Sequence, residues 1–316
     1  MKVICYMIFI IIFSFICINT ALGSDYQGDL NNTLDYAKSL YLIGDFNHSL
    51  EVLNTFITQN PDNSSAWNLK GLVFLAEGSY DSSIDSFHKA LNFSPQDARI
   101  LYNLGLTSLY KEDYVASDYY FNRTVNSNPQ NIEASFYLGL VKYRLGQYNE
   151  SIKQFKHVTT AQPDDSNAWV NLGMAYEKVE RFDFALTAYD TAIKKDPSHA
   201  KAWFNKGIIY SRIKDIHNAT SSFNNYTRLE PEDDVGWFWY AKNLKLDNQM
   251  NESTDAIKKA ISLNPENQEY PNYLPLFSGQ YTDPISEYLF TSLSNNSVLG
   301  IFGLFIIFAF VSVIRR

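Results

Sequence analysis

SNAWVNLGMAYEKVERFDFALTAYDTAIKKDPSH, residues 166–199, is one copy of a pattern that runs through most of the chain. Its landmark is Pro197. Proline stands at 61, 95, 129, 163, 197, 231 and 265, each 34 residues from the next, and nowhere else before 271. A fixed period of that length marks stacked supersecondary units, each too small to bury its apolar face alone.

Counting back from each proline exposes further columns. Twenty-four residues earlier stand Ala37, Gly71, Gly105, Gly139, Gly173, Gly207 and Ala241, all small. Twelve earlier are Ser49, Ser83, Ser117, Ser151, Ala185, Ala219 and Ser253, again small. Eight earlier are Leu53, Phe87, Phe121, Phe155, Tyr189, Phe223 and Ile257, all large and apolar. Twenty-eight earlier, Trp67, Trp169, Trp203 and Trp237 recur, with Leu101 in the same slot. Small residues let two helix backbones approach; large ones fill the space between that pair and the next. The slot fourteen before each proline holds Asn47, Asp81, Val115, Asn149, Asp183, His217 and Asn251, and the Asn and Asp residues there suit the cap of a second helix. Gly44, Gly78 and Gly146 suit the turn that ends the first helix, and the proline closes the second. No strand-like alternation competes.

These residues resemble those of the tetratricopeptide repeat family, most fully at Ala168-Trp169, Leu172-Gly173, Tyr176, Ala185, Tyr189, Ala192 and Pro197. The resemblance covers seven units, 30–63, 64–97, 98–131, 132–165, 166–199, 200–233 and 234–267. It implies an all-α, right-handed superhelical solenoid of helix-turn-helix repeats with the first helices on its concave face. The end units depart from the family pattern: Thr33 and Phe56 in the first, Ala241 and Met250 in the seventh. End units cap a stack, so such divergence is expected. Residues 24–29 form a short lead. In 268–296, read as a capping helix or stalk, Pro271, Pro275 and Pro284 interrupt the early part and Ile285–Phe290 reads as a short helix.

Both ends of the chain are apolar. Residues 1–23 read as a secretory signal: Lys2, an uncharged run from Val3 to Ile18, then Ala21-Leu22-Gly23 before Ser24. Both cysteines, Cys5 and Cys17, leave with it, so a cleaved chain offers no disulfide and no Cys-ligated zinc. Residues 297–314 read as a C-terminal transmembrane helix, closed by Arg315-Arg316. Its uncharged run, Val298 to Ile314, is about 25 Å of helix, at the short end of what crosses a bilayer. The arginines place that end in the cytoplasm and the repeats outside the cell membrane.

Composition limits the remaining function classes. The net charge is −8, and removing Lys2, Arg315 and Arg316 from 26 basic residues against 34 acidic leaves the body near −11. Such a chain lacks the basic face a nonspecific nucleic-acid binder needs. His48, His88, His157, His199 and His217 share no column and form no His-x-x-x-His pair. Glu230, Glu232, Asp233 and Asp234 cluster around Pro231 without calcium-loop spacing. There is no phosphate-binding Gly-x-x-x-x-Gly-Lys and no Gly-x-Ser-x-Gly elbow. No enzyme activity, metal, cofactor or small-molecule substrate is therefore expected.

Asparagine with Ser or Thr two places on occurs at Asn31, Asn47, Asn63, Asn92, Asn122, Asn149, Asn218, Asn225, Asn251 and Asn295. The surplus suits a glycosylated surface protein, with Asn47, Asn63, Asn122, Asn149, Asn218, Asn225 and Asn251 the candidate acceptors. Asn295 lies beside the expected membrane helix, and Pro95 follows the sequon of Asn92.

The family resemblance implies that the concave face holds an extended peptide or a partner helix. Mapped onto this chain, its lining includes Tyr102, Phe136, Phe204 and Phe238 in one column, and Asn103, Tyr137, Asn171, Asn205 and Trp239 in the next. One turn on, Arg144, Lys178 and Arg212 form a basic row suited to an acidic partner segment or a terminal carboxylate. The lysine of the chaperone-tail carboxylate clamp is missing from its slot in every repeat. The expected function is a noncatalytic scaffold that binds a peptide or partner protein for assembly of a surface or membrane complex. An envelope- or carbohydrate-binding module and a recruiting subunit of an enzyme complex are the alternatives.

Overall fold

A computed structural model of the protein describes residues 30–278. The expected signal, the short lead, residues 279–296 and the C-terminal membrane helix lie outside the described residues. Among those described, every regular element is an α-helix, and no helix is long and apolar enough to cross a membrane.

The described helices fall into two compact units, the first ending at 147 and the second beginning at 148. The first holds α1 (Leu30–Leu42), α2 (Phe46–Gln59), α3 (Ser64–Ala76), α4 (Tyr80–Phe93), α5 (Ala98–Tyr110), α6 (Tyr114–Ser127) and α7 (Ile132–Arg144). The second holds α8 (Tyr148–Ala161), α9 (Ser166–Lys178), α10 (Phe182–Lys195), α11 (Ala200–Arg212), α12 (Ile216–Leu229), α13 (Asp234–Leu246), α14 (Met250–Leu263) and α15 (Tyr270–Phe277). Odd-numbered helices up to α13 are first helices and even-numbered ones are second helices. Each first helix pairs with the second helix that follows it, except that the boundary between units falls between α7 and α8.

The columns become contacts. Phe87 lies under Gly71 so closely that a Cβ there would sit 2.5 Å from its ring. Gly105 stands in the same relation to Phe121 at 2.8 Å, Gly173 to Tyr189 at 2.5 Å and Gly207 to Phe223 at 2.8 Å. All four rings are fully buried. Each such burial stabilises the stack by about 2–3 kcal/mol. The serine column does more than stay small: Ser49, Ser83, Ser117 and Ser253 donate from Oγ to the carbonyls of Ala37, Gly71, Gly105 and Ala241, each at 2.8 Å. The tryptophans tie four of the first helices to the turn before them, donating from Nε1 to the carbonyl six residues back. Trp67, Trp169, Trp203 and Trp237 thus hold Pro61, Pro163, Pro197 and Pro231 at 2.8, 2.9, 3.1 and 2.9 Å.

The turn inside each pair is left-handed at one residue. Gly44, Gly78 and Gly146 have φ of +82°, +75° and +74°, as their place in the sequence suggests. The same slot is held by Glu112, Glu180, Lys214 and Asn248 at φ of 63°, 57°, 63° and 61°, where an L side chain is strained. The turns close alike: the next residue's N–H reaches back five residues, as from Asp45 to Leu40 at 2.9 Å and from Ser79 to Phe74 at 2.8 Å.

Two local expectations fail. The Asn and Asp residues fourteen before each proline are not caps; they are the second residue of each second helix. The caps stand two residues earlier, where Asp45, Asp113 and Asp215 accept from the backbone N–H of His48, Ala116 and Asn218. An acidic side chain in the first turn is also favoured by the helix dipole, so composition alone does not separate the two positions. First helices are capped more regularly, by Asn63, Asp97, Asn131, Asp165 and Asp233 just after each proline turn.

The second failure is at the C-terminal side of the repeats, where α15 forms over Pro271 and Pro275 instead of being interrupted by them. Pro271 lies in the first turn, where no intrahelical N–H is needed. Tyr270 and Phe277 are buried against Ala241, Leu244, Ala256, Ile257 and Ala260. Counted at the 34-residue period, Tyr270 and Phe277 occupy the slots of Gly236 and Asn243. The helix therefore keeps the register of a first helix, shortened to eight residues.

Candidate docking surface

First helices spend one face on pairing and keep another open. Buried Ala66, Leu69, Gly71 and Val73 hold α3 in place among its neighbours. Asn68 and Leu72, four residues apart, share a side that stays half-buried. In the first unit that side and its equivalents on α1 and α5 enclose a cleft of about 300 Å³, lined by Asp35, Lys38, Asn68, Leu72 and Arg99 among others. Asn103 fixes one wall, donating from Nδ2 to Asn68 Oδ1 at 3.0 Å. Asp97 both caps α5 and pairs with Arg99 at 2.7 Å. The hydrogen bond from Arg99 holds the Asp97 carboxyl below the usual range.

Further along the same unit the aromatic residues expected in the lining engage one another. Tyr102 meets Phe121 edge-on at 5.8 Å and Tyr137 at 6.1 Å, while Phe121 and Tyr137 stack at 5.7 Å. Phe136 lies edge-on to Tyr137 at 5.8 Å. Burial, then a hydrogen bond to Glu133, raises the Tyr102 hydroxyl far above the ordinary tyrosine range. Arg144 is exposed at the end of α7.

In the second unit the corresponding face carries one unsatisfied amide. Asn171 is half-buried on α9, and Asn205 on α11 has a buried Nδ2 with no hydrogen-bond partner among the described residues. Beside it in sequence, Phe204 packs on Phe223 at 5.7 Å and Tyr226 at 4.9 Å. Trp239 stacks on Phe223 at 5.9 Å, and Lys242 Nζ lies 4.4 Å from the Trp239 ring centroid. Burial lowers the Lys242 pKa to about 8. Lys206 has Asp190 at 2.5 Å, but no carboxylate pairs with Lys242 among the described residues. Phe238, expected in the lining, is instead covered by Tyr270 at 5.2 Å and Tyr273 at 5.1 Å.

The two members of the basic row in this unit differ. Lys178 is exposed at the end of α9. Arg212 is engaged within the protein, 3.7 Å from both Glu177 and Glu180 and 4.9 Å over the ring of Phe182. Burial raises the Glu177 pKa, and the charges of Arg212 and Lys178 oppose that rise. Sequence reading missed Lys38, Asn68 and Arg99 of the cleft, and Lys242. One signal was present: Lys242 stands in a column otherwise filled by Leu72, Leu106, Leu140, Met174 and Ile208, with Lys38 its only companion cation.

Comparison with known families places these features. A domain described as the cytochrome c-type biogenesis protein H TPR domain matches residues 45–161. Tetratricopeptide repeat models match 166–199 and 188–220. No curated protein matches the chain. Among solved structures, it is similar to YrrB, described as a TPR protein with an unusual peptide-binding site. That likeness is at 25% identity and a TM-score of 0.53, covering 58% of this chain and 94% of that one. MamA from Desulfovibrio magneticus RS-1 aligns at 23% identity and a TM-score of 0.52, covering 54% of this chain and 97% of that one. The C-terminal part of a TPR repeat-containing protein from Cytophaga hutchinsonii aligns at 13% identity and a TM-score of 0.66, covering 76% and 99%. The last two likenesses concern the fold alone.

Proposed function

This chain belongs to the tetratricopeptide repeat family, whose members generally bind protein or peptide partners, and from that premise we propose that it is a noncatalytic docking scaffold. Its ligand is an extended peptide or a partner segment laid against the first helices. The observation that carries this reading is the asymmetry of helix use. Second helices give their apolar side to pairing, whereas first helices carry half-buried amides, a stacked tryptophan and Lys242, which has no carboxylate partner among the described residues. A half-buried ammonium without a counter-ion is costly, and a carboxylate from a partner would offset that cost. YrrB, as a peptide-binding relative in fold, is consistent with the same use.

The repeats are displayed outside the membrane in this proposal, held by the C-terminal apolar run with Arg315-Arg316 inside the cell. The reading rests on the signal-like start and the arginine-closed tail. Protease added to intact cells should degrade the repeats; protection reverses the orientation.

Docking is tested by capture from native membrane extracts on the immobilised repeat array. The triple variant Arg144→Glu, Lys178→Glu, Lys242→Glu should lose at least about tenfold of its captured partner, equivalent to about 1.4 kcal/mol. The control Lys153→Glu, Lys156→Glu changes exposed residues of the second helix α8 and should retain capture. Equal capture by both variants removes the first-helix assignment.

A further inference from the structure

Seven sequons were candidates for glycosylation, and the structure separates one from the other six. A transferase must reach the asparagine amide and the hydroxyl two residues on from one side. In an α-helix residues two apart point roughly 200° apart around the axis, so the pair faces opposite ways. Asn47, Asn122, Asn149, Asn218, Asn225 and Asn251 all lie inside second helices. Their partner hydroxyls, on Ser49, Thr124, Ser151, Thr220, Thr227 and Ser253, are all buried. Three of the amides are also committed: Asn122 Nδ2 donates to Asp118 O at 2.9 Å, Asn218 to Asp215 Oδ2 at 2.8 Å and Asn225 to Ser221 O at 2.9 Å.

Asn63 differs in standing before its helix and in the exposure of its partner hydroxyl. It precedes α3 as its cap, in an extended conformation with φ of −74° and ψ of 97°. Its Oδ1 accepts from Ala66 N at 2.9 Å, which turns Nδ2 away from the helix, and Nδ2 has no hydrogen bond among the described residues. Its sequon partner, Ser65, is exposed and borders the cleft of the first unit. We infer that Asn63 is the acceptor the folded protein presents, carrying an N-linked glycan at the edge of that cleft. The donor is a lipid-linked oligosaccharide phosphate. The amide Nδ2 loses one proton and bonds the sugar C1, while the C1–O bond breaks and the lipid phosphate leaves with its electron pair and takes up the proton. The cap is preserved, because Oδ1 still accepts from Ala66 after Nδ2 is substituted.

The inference rests on extracellular display. The test is glycopeptide mass spectrometry on the full chain purified from its native membranes, alongside protease treatment of intact cells. In protease-accessible protein the peptide containing Asn63 should carry the glycan in most molecules, and those containing Asn122 and Asn225 should be unmodified. Asn63→Gln and Ser65→Ala should each lower the protein's mass by one glycan. Ser65→Ala keeps the Asn63 cap and so reports on modification apart from folding. Unmodified Asn63 in protease-accessible protein overturns the inference and leaves display standing. Equal occupancy at Asn63, Asn122 and Asn225 also overturns it, and protection of the repeats sinks both readings.

Discussion

Two kinds of helix pair coexist in this molecule. Within the first unit α3–α4 and α5–α6 set a glycine against an aromatic ring, as do α9–α10 and α11–α12 within the second. The pairs α1–α2 and α13–α14 set an alanine against an aliphatic side chain, Ala37 against Leu53 and Ala241 against Ile257, all four fully buried. The two solutions fill the same space. A ring is broad enough to need the room a missing Cβ leaves; leucine or isoleucine is not, and the methyl returns to the first helix. What looks in sequence like two independent columns is one constraint on their combined volume.

Breaking that constraint should have the largest effect. Gly173→Ala places a methyl 2.5 Å from the Tyr189 ring and should destabilise the second unit by about 3 kcal/mol, read from the urea midpoint. The double variant Gly173→Ala, Tyr189→Leu rebuilds the α1–α2 solution and should recover most of the loss. A double variant no better than the single shows that the columns are not coupled. The next effect sharpens the contrast inside α13, where Lys242 holds a slot that α11 gives to Ile208. Because the folded pKa is depressed to about 8, the unfolded chain binds more protons between about pH 8 and pH 10.5. Stability should therefore rise across that window, with the penalty fully present below it. Lys242→Met should stabilise the unit by about 2 kcal/mol at pH 7 and remove the rise. An unchanged stability profile in the variant assigns the rise to another group.

Smaller effects belong to the turns and hydroxyls. Glu112→Gly and Lys214→Gly relieve left-handed strain and should each raise the thermal midpoint, with a gain of about 1 kcal/mol. Gly78→Ala should lose a similar amount. Smallest is Ser83→Ala, which gives up the bond to the Gly71 carbonyl and should cost about 0.5–1 kcal/mol. Ala185 and Ala219 fill the same column without any hydroxyl, so a loss well above that range would mean the serine holds more than its own pair.

The period, the helical pairs and the glycine turns were legible because each is fixed within one repeat by the size or backbone freedom of a residue. Gly71 and Phe87 announce their contact from sixteen positions apart, since the period returns the pair in other copies. What depends on reach across helices was not legible. Arg212 reads as an open cation until Glu177 and Glu180 are placed near it by packing. The Asn68–Asn103 bond joins equivalent first-helix surfaces 35 residues apart, one more than the period, so no column contains it. Caps at Asp45 and acids at Asp81 serve the same helix end, so their chemistry distinguished them poorly. The helix over Pro271 and Pro275 escaped because proline was read as punctuation, whereas burial of Tyr270 and Phe277 supplies what its missing hydrogen bonds do not.

That last helix sets a limit on growth. At the 34-residue period Pro275 occupies the slot that Ala241 and the glycines hold in the full-length first helices. A glycine there is a socket for the ring of a following helix; a pyrrolidine fills the socket itself. Lengthening this protein by tandem duplication would therefore fail if copies were added after α15. An added copy has to enter upstream of Tyr270, between complete pairs, where the sockets are still open.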